Sequence, residues 1–468
     1  MPECDWARLR SLVLITTAMT ALTTLHGTAQ DKASDRRRFL SPDTRTTDDP
    51  RRTPIDPSVP RGPEGAIVLR GGRIFDGTGA ATRPGTLVIV RNIITAVLGP
   101  ASTTWPRDAR VLDVTGMTVM PGLIDLHTHI TDGQGPRVLQ GLENDPSDAA
   151  LRGVERLRYY AESGITSVRD TGSHDAIFRL KAWVRDRRVL GPRIFAAGRF
   201  ITAPGGHSAE GLGSMPDQGA SRLANGADDW RKAVREQFDR GADFIKVGSH
   251  FSRDEIKAAV EEAHALGLKV TCDCETFYID WAVDAGVDMI EHPLPRTDAV
   301  VQKMAAGGVE SDPTLVPYTI IFDDNGGYFG STSRRFSFSR EANLQLLRKM
   351  RLAGIKLGVA TDLVSDWFLR LPAPYIDELT NFVAAGFSIP EALVAATKTN
   401  AELLDMIDKL GTLESGKLAD VLVVNGRPDQ NLNDLTKVEW VIRDGEIVVE
   451  HGLPFQIRHV PFKPKPRK

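Results

Sequence analysis

Met120-Pro121-Gly122-Leu123-Ile124-Asp125-Leu126-His127-Thr128-His129 is an apolar run that ends in two histidines one residue apart. In an extended strand successive side chains point to opposite faces, so His127 and His129 share one face while Leu126 and Thr128 take the other. Two imidazoles on one face can share a metal ion. Pro121-Gly122 is a turn signal that delivers the chain abruptly into a short buried strand.

Beyond His129 the pattern is strand, helix, strand, repeatedly. The strands predicted are Ser167 to Asp170, Arg193 to Ala197, Phe244 to Val247, Lys269 to Cys274, Met289 to Glu291, Thr314 to Val316 and Val359 to Asp362, which with the His127 strand make eight. Helical patterns such as Arg231 to Arg240 and Asp254 to Leu266 fall between them. The second opens on the capping-box pattern Ser252-Arg253-Asp254-Glu255 and stops at Gly267, and Ser388 to Glu391 opens another in the same way. Eight such units are what a closed (β/α)8 TIM barrel needs, whereas an open doubly wound sheet usually shows an early Gly-rich phosphate turn, absent here. Short alternating strands precede the barrel, from Ala66 to Val114, and follow it at Val421 to Val424, Val438 to Ile442 and Glu446 to Val449. The two flanks are expected to complete one small β-sandwich. The domain reading is thus 66–120 and 406–460 for the sandwich and 121–405 for the barrel.

The N-terminus reads as a signal peptide over 1–29. Arg8 and Arg10 precede an apolar run from Leu12 to Leu25, and Gly27-Thr28-Ala29 supplies the small residues a signal peptidase reads. Export to a periplasmic or extracellular space is the expectation, with an uncleaved anchor as the alternative because Glu3 and Asp5 dilute the positive start. Residues 30–65, rich in Arg, Asp, Thr and Pro, have the composition of a disordered linker, and 461–468 form a basic tail. No other segment could span a bilayer. A net charge of -3 gives no reason to expect nucleic acid or an anionic membrane as partner, and a small-molecule substrate fits better. Cys4, Cys272 and Cys274 make no disulfide framework, the last two lying too close on one strand to bridge without strain.

Active sites of (β/α)8 barrels sit at the carboxyl ends of the strands, so the polar residues that close apolar strands carry the chemistry. His127 and His129 close the first, Asp170 the second, Lys246 lies inside Phe244-Ile245-Lys246-Val247, Asp273 follows Val270-Thr271-Cys272, His292 follows Met289-Ile290-Glu291, and Asp362 follows Val359-Ala360-Thr361. Together with Asp243-Phe244-Ile245-Lys246-Val247, Gly286-Val287-Asp288-Met289-Ile290-Glu291-His292, Ala360-Thr361-Asp362 and the closing Gly416-Lys417-Leu418-Ala419-Asp420, the opening stretch resembles the amidohydrolase superfamily, in its imidazolonepropionase-like and Xaa-Pro dipeptidase (prolidase) branch, from Ala66 to about Val449.

That resemblance implies one or two divalent metal ions, zinc first among them. It makes His127 and His129 ligands of the more buried ion, Lys246 a carboxylated, bridging ligand, His292 a ligand of the second ion, and Asp362 both a ligand and the base that handles the water proton. The physical reading of Lys246 agrees, since a lysine among Phe, Ile and Val is expensive to bury charged and unpaired. The family's fifth-strand histidine falls on Asp273, a harder, anionic oxygen donor in place of an imidazole. Gly205-Gly206-His207-Ser208 looks like the Gly-Gly-His loop of the prolidase-like branch, which puts His207 in substrate binding or oxyanion stabilisation. His250 and Tyr318, beyond strand ends, are read as further substrate contacts. Asp170 is expected to orient a ligand, and His264, in mid-helix, to be structural. The function implied is hydrolysis of an amide, in a dipeptide-like or N-acyl amino acid compound, by metal-activated water. Opening of a lactone, cyclic amide or ester on the same site is the alternative, as is an impaired homologue that binds a small ligand because of Asp273. Superfamily members of this type associate, so a homo-oligomer is compatible.

Overall fold

The chain is described from a computed structural model, for residues 64–132, 145–207, 219–325 and 339–456. The expected leader, nearly all of the linker and the basic tail lie outside the described residues. Five strands come first: β1 (Ala66–Ile74), β2 (Arg83–Val90), β3 (Ile93–Leu98), β4 (Arg110–Asp113) and β5 (Thr118–Pro121). β5 runs through Gly122 directly into β6 (Leu123–Thr128), the strand of the two histidines. A Cβ on Gly122 would sit inside the Thr166 side chain, so only glycine lets the chain cross from one sheet to the other here.

The parallel strands and their helices then alternate. The strands are β7 (Ile165–Asp170), β8 (Arg193–Ala196), β9 (Phe200–Thr202), β10 (Ser221–Leu223), β11 (Ile245–Gly248), β12 (Val270–Asp273), β13 (Met289–Glu291) and β14 (Glu310–Asp312). The helices among them are α1 (Pro146–Glu162), α2 (Ala176–Arg185), α3 (Ala227–Arg240), α4 (Arg253–Ala265), α5 (Thr276–Ala285), α6 (Asp298–Gly307) and α7 (Leu315–Asn325), followed by α8 (Arg340–Leu352) and α9 (Ala373–Ala384). The capping boxes expected at Ser252 and Ser388 are both formed. Strand order is β6-β7-β8 in one run and β10-β9-β11-β12-β13-β14 in another, every pairing in these two runs parallel.

Two of the predicted strands are corrected. Thr314 to Val316 is not a strand: the seventh strand is β14, four residues earlier, and α7 begins at Leu315. Two N–H groups at the start of that helix donate to the buried Glu378 carboxylate, Leu315 at 3.0 Å and Val316 at 2.9 Å, a capping arrangement that apolar periodicity does not reveal. Val359 to Asp362 occupies the eighth position as a nearly extended segment. Isolated bridges Ser311 to Leu357 and Thr128 to Leu363 tie it to β14 on one side and β6 on the other, and Asp362 N–H donates to His127 C=O at 2.8 Å. These contacts close the barrel.

After the barrel come β15 (Val421–Val424), β16 (Val438–Arg443), β17 (Glu446–Glu450) and β18 (Leu453–Pro454). They join β1 to β5 in one nine-stranded sheet ordered β18-β17-β16-β15-β5-β1-β2-β3, with β4 beside β1, as the expected sandwich from both flanks. β15 shows why its sequence is Val-Leu-Val-Val. Val421 and Val423 face the sandwich core with Val119, Leu69 and Ile442, while Leu422 and Val424 face the barrel core. A strand buried on both faces needs an unbroken apolar run. Among the described residues no helix is long and apolar enough to cross a membrane. One cysteine expectation is also corrected: Cys272 and Cys274 are bonded to each other. β12 ends at Asp273, and the turn beyond it brings their Cα atoms to 5.2 Å, within the span a disulfide bridges.

Candidate metal centre

The carboxyl ends of the barrel strands form a mouth in which the backbone itself is constrained. His250, Thr276, His292, Thr314, Asp362 and Ser365 all have positive φ, between 42° and 78°. Non-glycine residues in that region carry strain that surrounding structure must hold, and such residues gather at functional sites. Positive φ at His292 and Asp362 turns each side chain off the strand alternation and into the axis.

His127 and His129 share a face as expected, and their rings meet at 5.3 Å between centroids. Each imidazole has its Nδ1 engaged behind it: His127 with Asp312 Oδ2 at 3.1 Å, His129 with Gly172 C=O at 2.6 Å. Those bonds leave both Nε2 atoms facing forward, 3.4 Å and 3.2 Å from the same Asp362 Oδ1. A metal-binding histidine is ordinarily fixed in this way, through its other nitrogen. Two groups among the described residues could hold a metal ion, His127 with His129 and Asp362, and His127 with Glu291 and His292. Burial drives the His127 imidazole well below its ordinary range, with the Lys246 charge acting in the same direction, so it is a neutral donor. For Asp362, burial works against the charged form but the hydrogen bond with His129 and the His292 charge outweigh it, and its carboxyl lies below the ordinary value.

The expectation of a carboxylated Lys246 as metal ligand is overturned. Lys246 belongs to neither candidate metal group. Its Nζ lies 2.9 Å from Glu291 Oε2 and 3.7 Å from Asp273 Oδ2, and 3.2 Å from His127 Nε2. The charge that is costly to bury among Phe, Ile and Val is therefore compensated by two adjacent carboxylates. Burial pulls the lysine down, and Glu291, Asp273 and Asp362 together more than reverse it.

Asp273 stands outside both metal groups but inside the pocket. Its Oδ2 is 3.1 Å from His207 Nε2 and 3.2 Å from His292 Nε2. Burial would raise its carboxyl, yet His207, His292 and Lys246 hold it well below the ordinary range. Asp273 in turn lifts His292 to about 9 against burial. His207 is delivered by a tight turn in which Gly206 N–H donates to Ala203 C=O at 2.9 Å. Tyr318, at the start of α7, stands edge-on to His292 with centroids 6.3 Å apart. His250 lies farther out, its Nε2 3.9 Å from Glu275 Oε2. Asp170 accepts from Ile130 N–H and Ser173 Oγ–H, both at 2.7 Å, and so fixes the loop that follows the histidine pair, with the His129 charge acting on its carboxyl. His264 meets Asp288 at 2.9 Å at the opposite end of the strands, a structural contact as expected.

Three residues of the centre went unread in the sequence: Glu291, Asp312 and Arg169. The Arg169 guanidinium is buried between the two carboxylates, 3.3 Å from Glu291 and 3.0 Å from Asp312, and donates to Leu126 C=O at 2.6 Å. The available signal was faint, a charged residue within or ending a short strand, since Arg169 and Glu291 are themselves buried in strands that are buried throughout.

A barrel whose strand ends gather imidazoles and carboxylates in this way is a metal-dependent hydrolase. Residues 118–448 match the model of the Amidohydrolase family, and the chain belongs to that family. It is 25% identical over 403 residues to an ochratoxinase of Aspergillus niger, a match covering 78% of this chain and 82% of that one. It is also 25% identical over 437 residues to an imidazolonepropionase of Symbiobacterium thermophilum, covering 84% and 94%. Among solved structures, a prolidase complexed with N-methylphosphonate-L-proline superposes with a TM-score of 0.73 at 27% identity, over 82% of this chain and all of that one. These likenesses place the chain in the branch related to imidazolonepropionases and prolidases, as a metal-dependent hydrolase acting on carbon–nitrogen bonds.

Proposed function

We propose that the protein is an exported hydrolase that cleaves the amide bond of a dipeptide-like or N-acyl amino acid compound. The observation that carries this reading is the convergence of His127 Nε2, His129 Nε2 and Asp362 Oδ1 at the barrel mouth, each histidine fixed through its other nitrogen. The prolidase complex and the ochratoxinase likeness support the bond type, and the leader-like composition of residues 1–29 supports export.

His127, His129 and Asp362, with His127, Glu291 and His292 as the second group, would hold a divalent ion, which would supply the Lewis acidity for activating water and polarising a carbonyl. The chain's own residues do the rest. Asp362 is an anion at the mouth, 18% exposed in its side chain, and takes the proton of the attacking water before passing it to the leaving nitrogen. His207, held by Asp273, and Tyr318 face the carbonyl and orient it. Asp312 and Arg169 keep His127 in the tautomer whose Nε2 lone pair points forward.

The test is elemental analysis of the purified mature protein together with turnover of a panel of Xaa-Pro dipeptides and N-acyl amino acids. Stoichiometric metal and turnover that chelation removes and metal restores are expected. Protein that binds no metal, or that holds metal and cleaves nothing in the panel, would overturn the reading in favour of a small-ligand binder.

A further inference from the structure

β14 supplies no member of either metal group, yet the chain at its end meets an imidazole of each. Asp312 closes the strand and stands behind His127; two residues on, Thr314 Oγ1 lies 2.6 Å from His292 Nδ1. Thr314 is fully buried and has φ 42°. A β-branched residue is costly in that region, which glycine or asparagine occupies more readily, so the surrounding structure must hold it there. It is held on both sides. His292 N–H donates to Asp312 C=O at 3.1 Å ahead of it, and beyond it the N–H groups of Leu315 and Val316 donate to the buried Glu378 carboxylate.

His292 is fixed along its backbone by the same bond and by Arg296, whose guanidinium donates to the His292 C=O at 2.5 Å. These contacts leave free only rotation of the imidazole about its side-chain bonds. Its Nε2 faces the pocket, beside Asp273 Oδ2. A histidine that offers its Nε2 lone pair to a metal ion carries its proton on Nδ1, where the proton needs an acceptor. Asp362 Oδ2, at 3.8 Å from Nδ1, is beyond hydrogen-bond range, and the Thr314 hydroxyl is within it. A side chain of the same shape without the hydroxyl would leave that N–H buried and unpaired. We propose that Thr314 is a positioning residue for His292: its hydroxyl accepts from Nδ1–H and aims Nε2 into the pocket, so the group made by His127, Glu291 and His292 depends on a residue outside it. This rests on the metal-centre reading above and deepens it.

The experiment titrates cobalt(II) into the metal-free wild type, Thr314→Val, Thr314→Ala and Thr314→Ser, following visible absorption and competition with a chelator. Circular dichroism of the metal-free proteins establishes which variants fold, and the alanine variant carries the test if the valine variant does not. The wild type should take up two equivalents. Thr314→Val and Thr314→Ala should bind the first as the wild type does and the second about 10–100-fold more weakly, with its absorption band altered. Thr314→Ser, which keeps the hydroxyl, should restore both affinity and spectrum. A second equivalent bound as tightly without the hydroxyl, a serine variant as defective as the valine one, or equal weakening of both equivalents overturns the proposal. A wild type that takes up one equivalent overturns this proposal alone, and one that takes up none overturns the metal-centre reading with it.

Discussion

Replacing Gly206 by alanine should inactivate the enzyme without unfolding it. A Cβ at this position would stand 2.6 Å from Ser249 C=O and 2.9 Å from Ala203 C=O, and closer still to Thr202 Oγ1. The threonine can rotate away, but the two carbonyls are backbone, and ordinary contact begins at 3.4 Å. The loop must therefore retreat by most of an ångström, which breaks the turn bond from Gly206 N–H to Ala203 C=O and carries His207 away from its 3.1 Å contact with Asp273. Overpacking of this kind costs about 1–3 kcal/mol of stability. A displacement near 1 Å at a substrate-orienting group costs on the order of 100-fold in rate. Steady-state kcat/KM should thus fall about as far in Gly206→Ala as in His207→Ala, with metal content unchanged because His127, His129 and Asp362 lie on other elements. Gly205→Ala is the control: its φ of +74° strains alanine by about 1–2 kcal/mol, but no atom lies within 4 Å of the added carbon, so its kcat/KM should drop much less. A folded Gly206→Ala with wild-type kcat/KM would refute the argument that this turn positions His207.

Asp362→Asn should reduce kcat by about 100-fold or more and weaken metal retention in dialysis, since it removes both the anionic donor and the proton acceptor; unchanged pH–rate profiles would count against Asp362 as the base. Asp312→Ala should weaken metal binding about 10–100-fold in competition with a chelator while leaving the three forward-facing ligand atoms in place, because His127 loses the partner that fixes its ring. Glu378 is raised by burial from its ordinary 4.5 to about 7, so the folded state keeps a proton that the unfolded chain has lost across that interval, and stability present below pH 4.5 is lost as pH rises through 7. The loss is about 3 kcal/mol, and Glu378→Gln should flatten the slope of urea-unfolding free energy between pH 5 and pH 8; a slope as steep as in the wild type would show that Glu378 does not contribute it.

The barrel was legible because its strands announce themselves twice, by apolar runs and by the polar residue that ends each one. His127, His129, His292 and Asp362 converge as their positions imply. The seventh strand was misread because Pro313-Thr314-Leu315-Val316 is apolar enough to pass for one, while the true strand Glu310–Asp312 carries two carboxylates that only the interior of the barrel explains. Lys246 was misread for a related reason. Its strand neighbours are apolar, and the groups that compensate its charge, Asp273 and Glu291, come from β12, the next strand, and β13, the one beyond it. Local sequence states the cost of burying a charge but not which distant residue offsets it.

The pairing of β5 with β15 bears on when the enzyme can become active. β5 is continuous with the strand that holds His127 and His129, and it is zipped, Val119 to Val423 and Pro121 to Val421, against a segment about 300 residues later in the chain. A polypeptide emerging from the ribosome lacks that partner until residue 424 of 468 has been made. Up to that point the root of the histidine strand exposes its ladder groups and an apolar face, and non-local pairing of this kind forms late. Metal capture is thereby tied to completion of the fold, and a chain interrupted before Val421 has the ligands without the frame that aligns them.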